Sequence, residues 1–158
     1  MRTITEEIII KATPVEIWNF LTNLHRDDNY KKWHPKDHIA YVMRKSSMGK
    51  VGGIAYFSEH VGKFTLKLSY TLTQTNNLYF LEYKAAWPLS WLHAGKGTFT
   101  MEPIDNQTTR FIAYAEYGYD LPIIGKLIDR IVEKIIKYDD ARKHMHEEGE
   151  NLKAILER

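Results

Sequence analysis

Hydrophobic and polar residues alternate along the middle of the chain. The alternation is regular between Phe64 and Thr73, where Phe, Leu and Tyr at even positions are separated by Thr, Lys and Ser at odd positions. A period of two is typical of an antiparallel strand with one buried face. The pattern recurs in three further segments, 79–87, 95–103 and 109–119. From Ile39 onward we therefore predict about six strands.

The N-terminal residues predict a strand, a capped helix and a second short helix. Residues 3–11 contain three consecutive isoleucines and are typical of a strand. Thr13 suits a helix N-cap, Pro14 suits the first helical position, and Glu16 would complete a capping box with Thr13. We expect this helix to run to about Leu24 and the short helix to cover residues 26–32.

Apolar residues recur at helical spacing through the C-terminal segment. They predict one long helix from Leu121 to Arg158, in which Gly149 is unfavourable. The apolar stripe comprises Ile124, Leu127, Ile128, Ile131, Ile135, Tyr138, Met145, Leu152 and Leu156. Together the elements predict an α+β fold, in which a curved antiparallel sheet wraps around the C-terminal helix. We expect residues 1–158 to form a single domain.

Composition excludes several classes of protein. The 158 residues are 44% hydrophobic and carry a net charge of +2 with acids and bases interspersed, so no nucleic-acid partner is expected. The absence of cysteine excludes disulfides and thiolate metal sites. Neither a signal-peptide pattern nor an apolar run of about 20 residues occurs, so we expect a cytoplasmic protein with no membrane partner. The 13% aromatic content could line a cavity for a small aromatic or hydrophobic molecule. The sequence leaves open whether the protein is a monomer or a homodimer.

Three groups of residues suggest a metal site. His144 and Glu148 stand four apart on the predicted helix, so both side chains lie on one face. Glu59 shares a strand face with Phe57 and Ala55, which predicts that it points inward. A buried carboxylate needs a partner or a metal ion. Taken alone, Glu59 is equally compatible with an exposed strand end, and the His144/Glu148 pair is more typical of a solvated helix end.

The third group lies between the predicted helices and the sheet. His34 and His38 flank a proline there, and Asp37 could accept a hydrogen bond from a metal-bound histidine. The alternative is a rigid connection with its histidines in solvent.

The segment from Ala12 to Trp18 (Ala-Thr-Pro-Val-Glu-Ile-Trp), together with the element order, resembles the START/Bet v 1-like superfamily, also called the SRPBCC or polyketide cyclase/dehydrase group. The resemblance covers essentially the whole chain and implies a helix-grip fold with a cavity between sheet and helix. Within it, the pattern His…Glu…His-x-x-x-Glu resembles the zinc-dependent phloretin hydrolase and 2,4-diacetylphloroglucinol hydrolase branch. The hydrolases of that branch have additional N-terminal sequence, so substrate contacts from that part cannot be carried over.

The resemblance implies a zinc ion bound by Glu59, His144, Glu148 and either His38 or His34, of which His38 is preferred. Two histidines with two carboxylates also suit iron or manganese. The implied reaction is hydrolysis of the carbon–carbon bond between an acyl group and a phenolic ring. Such a reaction needs a general acid, for which His93 is the candidate. Tyr30 is the second candidate catalytic residue. The phenolic hydroxyls of a substrate could be bound by four tyrosines: Tyr30, Tyr83, Tyr114 and Tyr117.

Two other functions use the same fold and need no metal. One is a carrier or sensor for a hydrophobic ligand, and the other is a polyketide aromatase/cyclase. A protein-interaction module has the least support. Four protein ligands also leave open whether a metal would be structural or catalytic, because closed tetrahedral zinc sites are usually structural.

Overall fold

The computed structural model describes residues 2–86, 95–118, 125, 130–131, 133–134 and 136–158. The elements, in chain order, are β1 (Arg2–Ile10), α1 (Pro14–Thr22), α2 (Asn29–Trp33), β2 (His38–Lys45), β3 (Ile54–Val61), β4 (Phe64–Asn76), β5 (Phe80–Ala85), β6 (Lys96–Pro103), β7 (Thr109–Tyr117) and α3 (Tyr138–Leu156). Among these residues the seven strands form one antiparallel sheet in the order β1-β7-β6-β5-β4-β3-β2. The α+β helix-grip fold predicted from the sequence is confirmed.

Helix α1 begins where the sequence places its cap. The backbone N–H of Glu16 donates to the Thr13 hydroxyl over 3.3 Å, and the backbone N–H of Thr13 donates to the Glu16 carboxylate over 2.7 Å. These two bonds satisfy N–H groups that have no partner within the helix. Ile17 and Leu21 then turn inward and join the core between the sheet and the helices.

The C-terminal helix is shorter than the sequence predicts. Lys137 has extended backbone, with φ −69° and ψ 140°, and α3 begins at Tyr138. Asp139 and Asp140 occupy its first turn, where carboxylates stabilise the positive end of a helix dipole. The prediction of one continuous helix from residue 121 was therefore wrong. Of the predicted stripe, Leu152 is fully buried, whereas Ile131 is half exposed.

Helix α3 packs across the sheet, chiefly on β1. Gly149 lies at this contact, beside Ile8. Trp33 joins α2 to the same helix, because its indole N–H donates to the backbone carbonyl of Glu148 over 2.9 Å. This packing fixes the axial position and the rotation of the helical turn that carries His144 and Glu148.

No helix among the described residues has the length and apolar character that a membrane span needs.

Replacing Gly149 by alanine is expected to stabilise the protein by about 0.5–1 kcal/mol, because alanine is favoured over glycine inside a helix. An added Cβ would meet Ile8 at 3.6 Å, which is ordinary van der Waals contact. Urea denaturation would measure the change in the free energy of unfolding. Gly62→Ala is the contrasting control: Gly62 has φ +59° and faces the Asp140 carboxylate, so this variant should be destabilised. A destabilised Gly149→Ala would show that α3 cannot accept even one methyl group against β1.

Candidate metal centre

Strand pairing places two of the candidate ligands side by side. In the antiparallel register of β2 and β3, His38 lies directly opposite Glu59. Directly opposed residues in such a ladder have their Cβ atoms about 4.5–5.5 Å apart. Glu59 points inward with Ala55 and Phe57, as its strand phase predicts, and all three line the interior cavity.

Helix α3 supplies the other two. His38 Nε2 lies 2.9 Å from Glu148 Oε1 and 3.7 Å from Glu59 Oε2. His144 Nε2 lies 3.8 Å from Glu148 Oε1 and 3.9 Å from Glu59 Oε1. One ligand atom from each of these four residues lies within 4.8 Å of the others. We call His38, Glu59, His144 and Glu148 the inner cluster.

The geometry of the inner cluster fits a small divalent cation. Ligands about 2.1 Å from a tetrahedral zinc ion lie about 3.4 Å from one another, and the four separations given above range from 2.9 to 3.9 Å. Moreover, His144 Nε2 is buried without a hydrogen-bond partner among the described residues. The donor set of two imidazoles and two carboxylates suits zinc, and also iron or manganese. Metal binding itself stays a prediction.

The tautomer of His38 is set by its outer nitrogen. Nδ1 lies 2.7 Å from the backbone carbonyl of Tyr30, and a carbonyl can only accept, so Nδ1 carries a proton. The neutral ring therefore presents the lone pair of Nε2 to Glu148. A proton on Nε2 would make the ring a hydrogen-bond donor to Glu148 Oε1, 2.9 Å away, and a metal ion would take the place of that proton. The ring is held in place by stacking on the Tyr30 ring, with centroids 3.8 Å apart.

Asp37 orients the second histidine. Its Oδ2 lies 3.3 Å from His144 Nδ1, which leaves Nε2 directed at the inner cluster. The sequence suggested a hydrogen bond of this kind for Asp37, and its role in supporting a metal-bound histidine stays a prediction. Outer carboxylates of this kind commonly fix the tautomer and orientation of a metal-binding histidine.

The electrostatics of the inner cluster favour a cation. Burial raises the pKa of Glu59, and the nearby Glu148 adds to this. Burial acts to raise the pKa of Glu148 as well, but the hydrogen bond with His38 and the adjacent His144 outweigh it, so that pKa is lowered. Burial acts to lower the pKa of His144, and the surrounding Glu148, Glu59 and Asp37 outweigh it, so that pKa is raised. The buried carboxylates thus draw positive charge to this point.

Tyr30 and Glu59 form a short hydrogen bond. The Tyr30 hydroxyl donates to Glu59 Oε2 over 2.5 Å. Burial raises the pKa of Tyr30 far above its usual value, and the Glu59 carboxylate raises it further, so the hydroxyl keeps its proton. The hydroxyl therefore holds Glu59 in place. Its contact with a substrate stays a prediction.

A cavity of about 200 Å³ adjoins the inner cluster. Glu59, His144 and Glu148 line one side of it. Aromatic side chains make up much of the remaining wall: Tyr30, Trp33, Tyr41, Phe57, Tyr70, Tyr83, Phe99 and Tyr117. The cavity is thus an aromatic chamber in which the inner cluster forms a polar corner, and the charged residues Lys96 and Glu116 line it as well.

The predicted tyrosines are placed differently from one another. Tyr83 and Tyr117 line the cavity with Tyr30, whereas the Tyr114 hydroxyl donates to Glu116 over 2.6 Å and its ring is not part of the cavity wall. Sequence reasoning missed Tyr41, whose buried hydroxyl has no hydrogen-bond partner among the described residues. Strict alternation would place Tyr41 on the face opposite His38. A bulge between His38 and Ala40 shifts the alternation by one residue and turns Tyr41 to the face of His38.

One candidate ligand, His34, lies outside the inner cluster. His34 is buried beside Asp37 and stacks on the His144 ring, with centroids 4.8 Å apart, but it does not join the four ligand atoms. Burial lowers the pKa of His34, and His144 lowers it further. His93 lies outside the described residues, so its role as general acid stays a prediction.

The comparisons with known proteins concern the fold. No protein-family model matches the chain, and no curated protein matches it significantly. Among solved structures, major latex-like protein 151 from Panax ginseng is 10% identical and superposes with a TM-score of 0.72, covering 98% of this chain and 97% of that one. Norcoclaurine synthase from Thalictrum flavum, in complex with dopamine and hydroxybenzaldehyde, is 15% identical with a TM-score of 0.66, covering 99% and 87%. The di-domain ARO/CYC protein BexL is 14% identical with a TM-score of 0.65, covering 99% of this chain and 47% of that one. At such low identity these similarities show the fold alone, which is the Bet v 1-like helix-grip fold.

Proposed function

We propose that the inner cluster binds a zinc ion and that the chain hydrolyses a small acylphenol held in the adjoining cavity. The observation that carries the proposal is the convergence of four metal-ligating side chains at the polar corner of an aromatic chamber. Iron or manganese would be accepted by the same donor set.

The size and chemistry of the cavity support a ligand with a single aromatic ring. About 200 Å³ is below the usual volume of a drug-sized pocket, which starts at about 300 Å³. Its aromatic walls offer stacked and edge contacts to a flat ring. The unpartnered hydroxyl of Tyr41 offers a hydrogen bond to a polar substituent. Norcoclaurine synthase, which shares the fold, was solved with two phenolic compounds.

The proposed reaction breaks the bond between the acyl carbon and the ring carbon. Water supplies a hydroxyl group to the acyl carbon and a proton to the ring carbon, so the products are a carboxylic acid and the deacylated phenol. A bound zinc ion supplies Lewis acidity, which polarises a carbonyl oxygen. His38 and His144 would hold it through Nε2, while Tyr30 fixes Glu59 and Asp37 fixes His144. His93 remains the candidate donor of the proton to the ring carbon.

Elemental analysis of purified protein tests the metal centre. After equilibration with zinc and removal of excess, Glu59→Gln and Glu148→Gln should each contain one equivalent less than the wild type, because each removes a charged ligand. Incubation with acylated phenols, followed by chromatography of the products, tests the reaction. Glu150→Gln, an exposed change on the same helix, is the matched control. Equal zinc in the wild type and both variants would overturn the proposed centre.

Phenylalanine variants of Tyr41 and Tyr30 should distinguish the binding of the aromatic ligand from the binding of the metal ion. Tyr41→Phe is expected to weaken binding of monoacetylphloroglucinol about 3–10-fold, the value of one hydrogen bond, and to leave the zinc content unchanged. Tyr30→Phe removes the hydrogen bond to Glu59 and should weaken zinc binding about 10-fold or more. Calorimetric titration with each ligand measures both effects. If Tyr41→Phe binds the acylphenol as tightly as the wild type, its hydroxyl does not contact the ligand.

A metal-free function in binding a hydrophobic ligand is the alternative, and the aromatic chamber favours it as well. In that case the wild type would bind flat aromatic molecules without zinc and release them chemically unchanged.

A further inference from the structure

A second group of potential ligands lies on the outer side of the His144 ring. His34 Nε2 is 3.3 Å from Glu147 Oε2 and 3.6 Å from Asp37 Oδ2. Asp37 and His34 approach His144 closely enough that one ligand atom from each of these three residues lies within 4.8 Å of the others. We call His34, Asp37 and Glu147 the outer cluster. None of these residues belongs to the inner cluster.

His34 points to a missing ligand. The residue is only 2% exposed, and neither of its ring nitrogens has a hydrogen-bond partner among the described residues. A buried polar group without a partner costs about 1–3 kcal/mol. Nε2 faces two carboxylates whose oxygens lie at distances typical of ligands around a shared ion rather than of a good hydrogen bond. An imidazole nitrogen that lies within 3.6 Å of an oxygen from each of two carboxylates supplies donors that suit a divalent cation.

The charges support the same conclusion. The inner and outer clusters together bring four carboxylates around three histidines. One divalent cation in the inner cluster would offset two of the four negative charges and leave those of the outer cluster. Lys143 lies 3.7 Å from Glu147, but it contacts Oε1, and the Oε2 atom that faces His34 stays available.

We propose that the outer cluster binds a second divalent cation, zinc or manganese, through His34 Nε2, Asp37 Oδ2 and Glu147 Oε2. Three protein ligands leave coordination positions for water, and Glu147, whose side chain is 34% exposed, opens the site to solvent. Asp37 would then serve both sites, because its Oδ2 also contacts His144. This inference goes beyond the proposed function and does not depend on it.

Calorimetric titration of the metal-stripped full chain with zinc alone, combined with elemental analysis after dialysis, tests the outer cluster. The wild type should bind two equivalents. Glu147→Gln should weaken one of them about 10-fold or more, since even residues that only orient a metal ligand have effects of this size. His34→Gln should have the same effect, with circular dichroism to verify that this buried variant folds. Glu150→Gln is the control for the exposed helix surface and should retain both equivalents.

Several results would overturn the inference. One is a wild type that saturates at one equivalent, when that equivalent is lost in Glu59→Gln and kept in Glu147→Gln. Another is a second equivalent that survives in both Glu147→Gln and His34→Gln. A second equivalent lost in His146→Ala would be surface binding at the exposed His146–Glu6 pair and would overturn it too. Glu59→Gln separates the two proposals: it should remove the inner equivalent alone, so either site can fail while the other stands.

Discussion

Zinc is expected to raise the melting temperature of the metal-stripped protein by about 5–10 °C. A ligand that binds only the folded state at 100 times its dissociation constant stabilises by about 2.7 kcal/mol. Each kcal/mol shifts the melting temperature of a chain of this size by about 2–4 °C. The physical reason lies in the inner cluster, where Glu59 and Glu148 are brought together in a buried site. A cation relieves their repulsion only when the chain is folded.

Glu148→Gln should lose most of this shift, because it removes both a charge and the oxygen that lies 2.9 Å from His38 Nε2. The metal-free variant should also melt lower than the metal-free wild type, because His38 and His144, which lower the pKa of Glu148, lose a charged partner. Differential scanning fluorimetry with and without zinc measures both quantities. Glu150→Gln, on the same helix but exposed, should behave as wild type. An equal zinc shift in Glu148→Gln and in the wild type would contradict the assignment of Glu148 as a ligand.

Replacing Trp33 by alanine is expected to destabilise the protein by about 3–5 kcal/mol, as is usual when a large buried aromatic residue is removed. Trp33 is 3% exposed and makes edge contacts with Phe20, His38 and Phe99. Its N–H also donates to the Glu148 carbonyl over 2.9 Å. Because this residue joins α2 to α3 beside the inner cluster, the variant should bind zinc more weakly as well. Urea denaturation gives the free energy of unfolding.

Trp33→Phe separates packing from hydrogen bonding. Phenylalanine keeps an aromatic ring but has no N–H, and one hydrogen bond contributes about 0.5–1.5 kcal/mol. We expect this variant to be clearly more stable than Trp33→Ala. If Trp33→Ala costs less than about 1 kcal/mol at an unchanged denaturant slope, Trp33 does not hold the two helices together.

Local sequence features predicted most of the fold. The cap of α1 was readable because its hydrogen bonds join residues only three apart. Strand β4 was readable because alternation follows directly from the pleat of a strand. The prediction failed at Lys137, where apolar periodicity continued through a break in the backbone. A hydrophobic stripe reports which face is buried and does not report whether the helix is continuous.

The sequence also determined part of the candidate site. His144 and Glu148 share a helix face because four residues make about one turn. Glu59 points inward because it lies two residues from Phe57 and therefore on the same strand face. What only the tertiary structure decided is which groups meet. The register of β2 on β3 sets His38 opposite Glu59, and the bulge after His38 turns Tyr41 into the cavity. The packing of α3 brings Glu148 to His38 across 110 positions of the chain. Such contacts depend on strand register and helix placement, which are set by the whole core, and therefore no local pattern contains them.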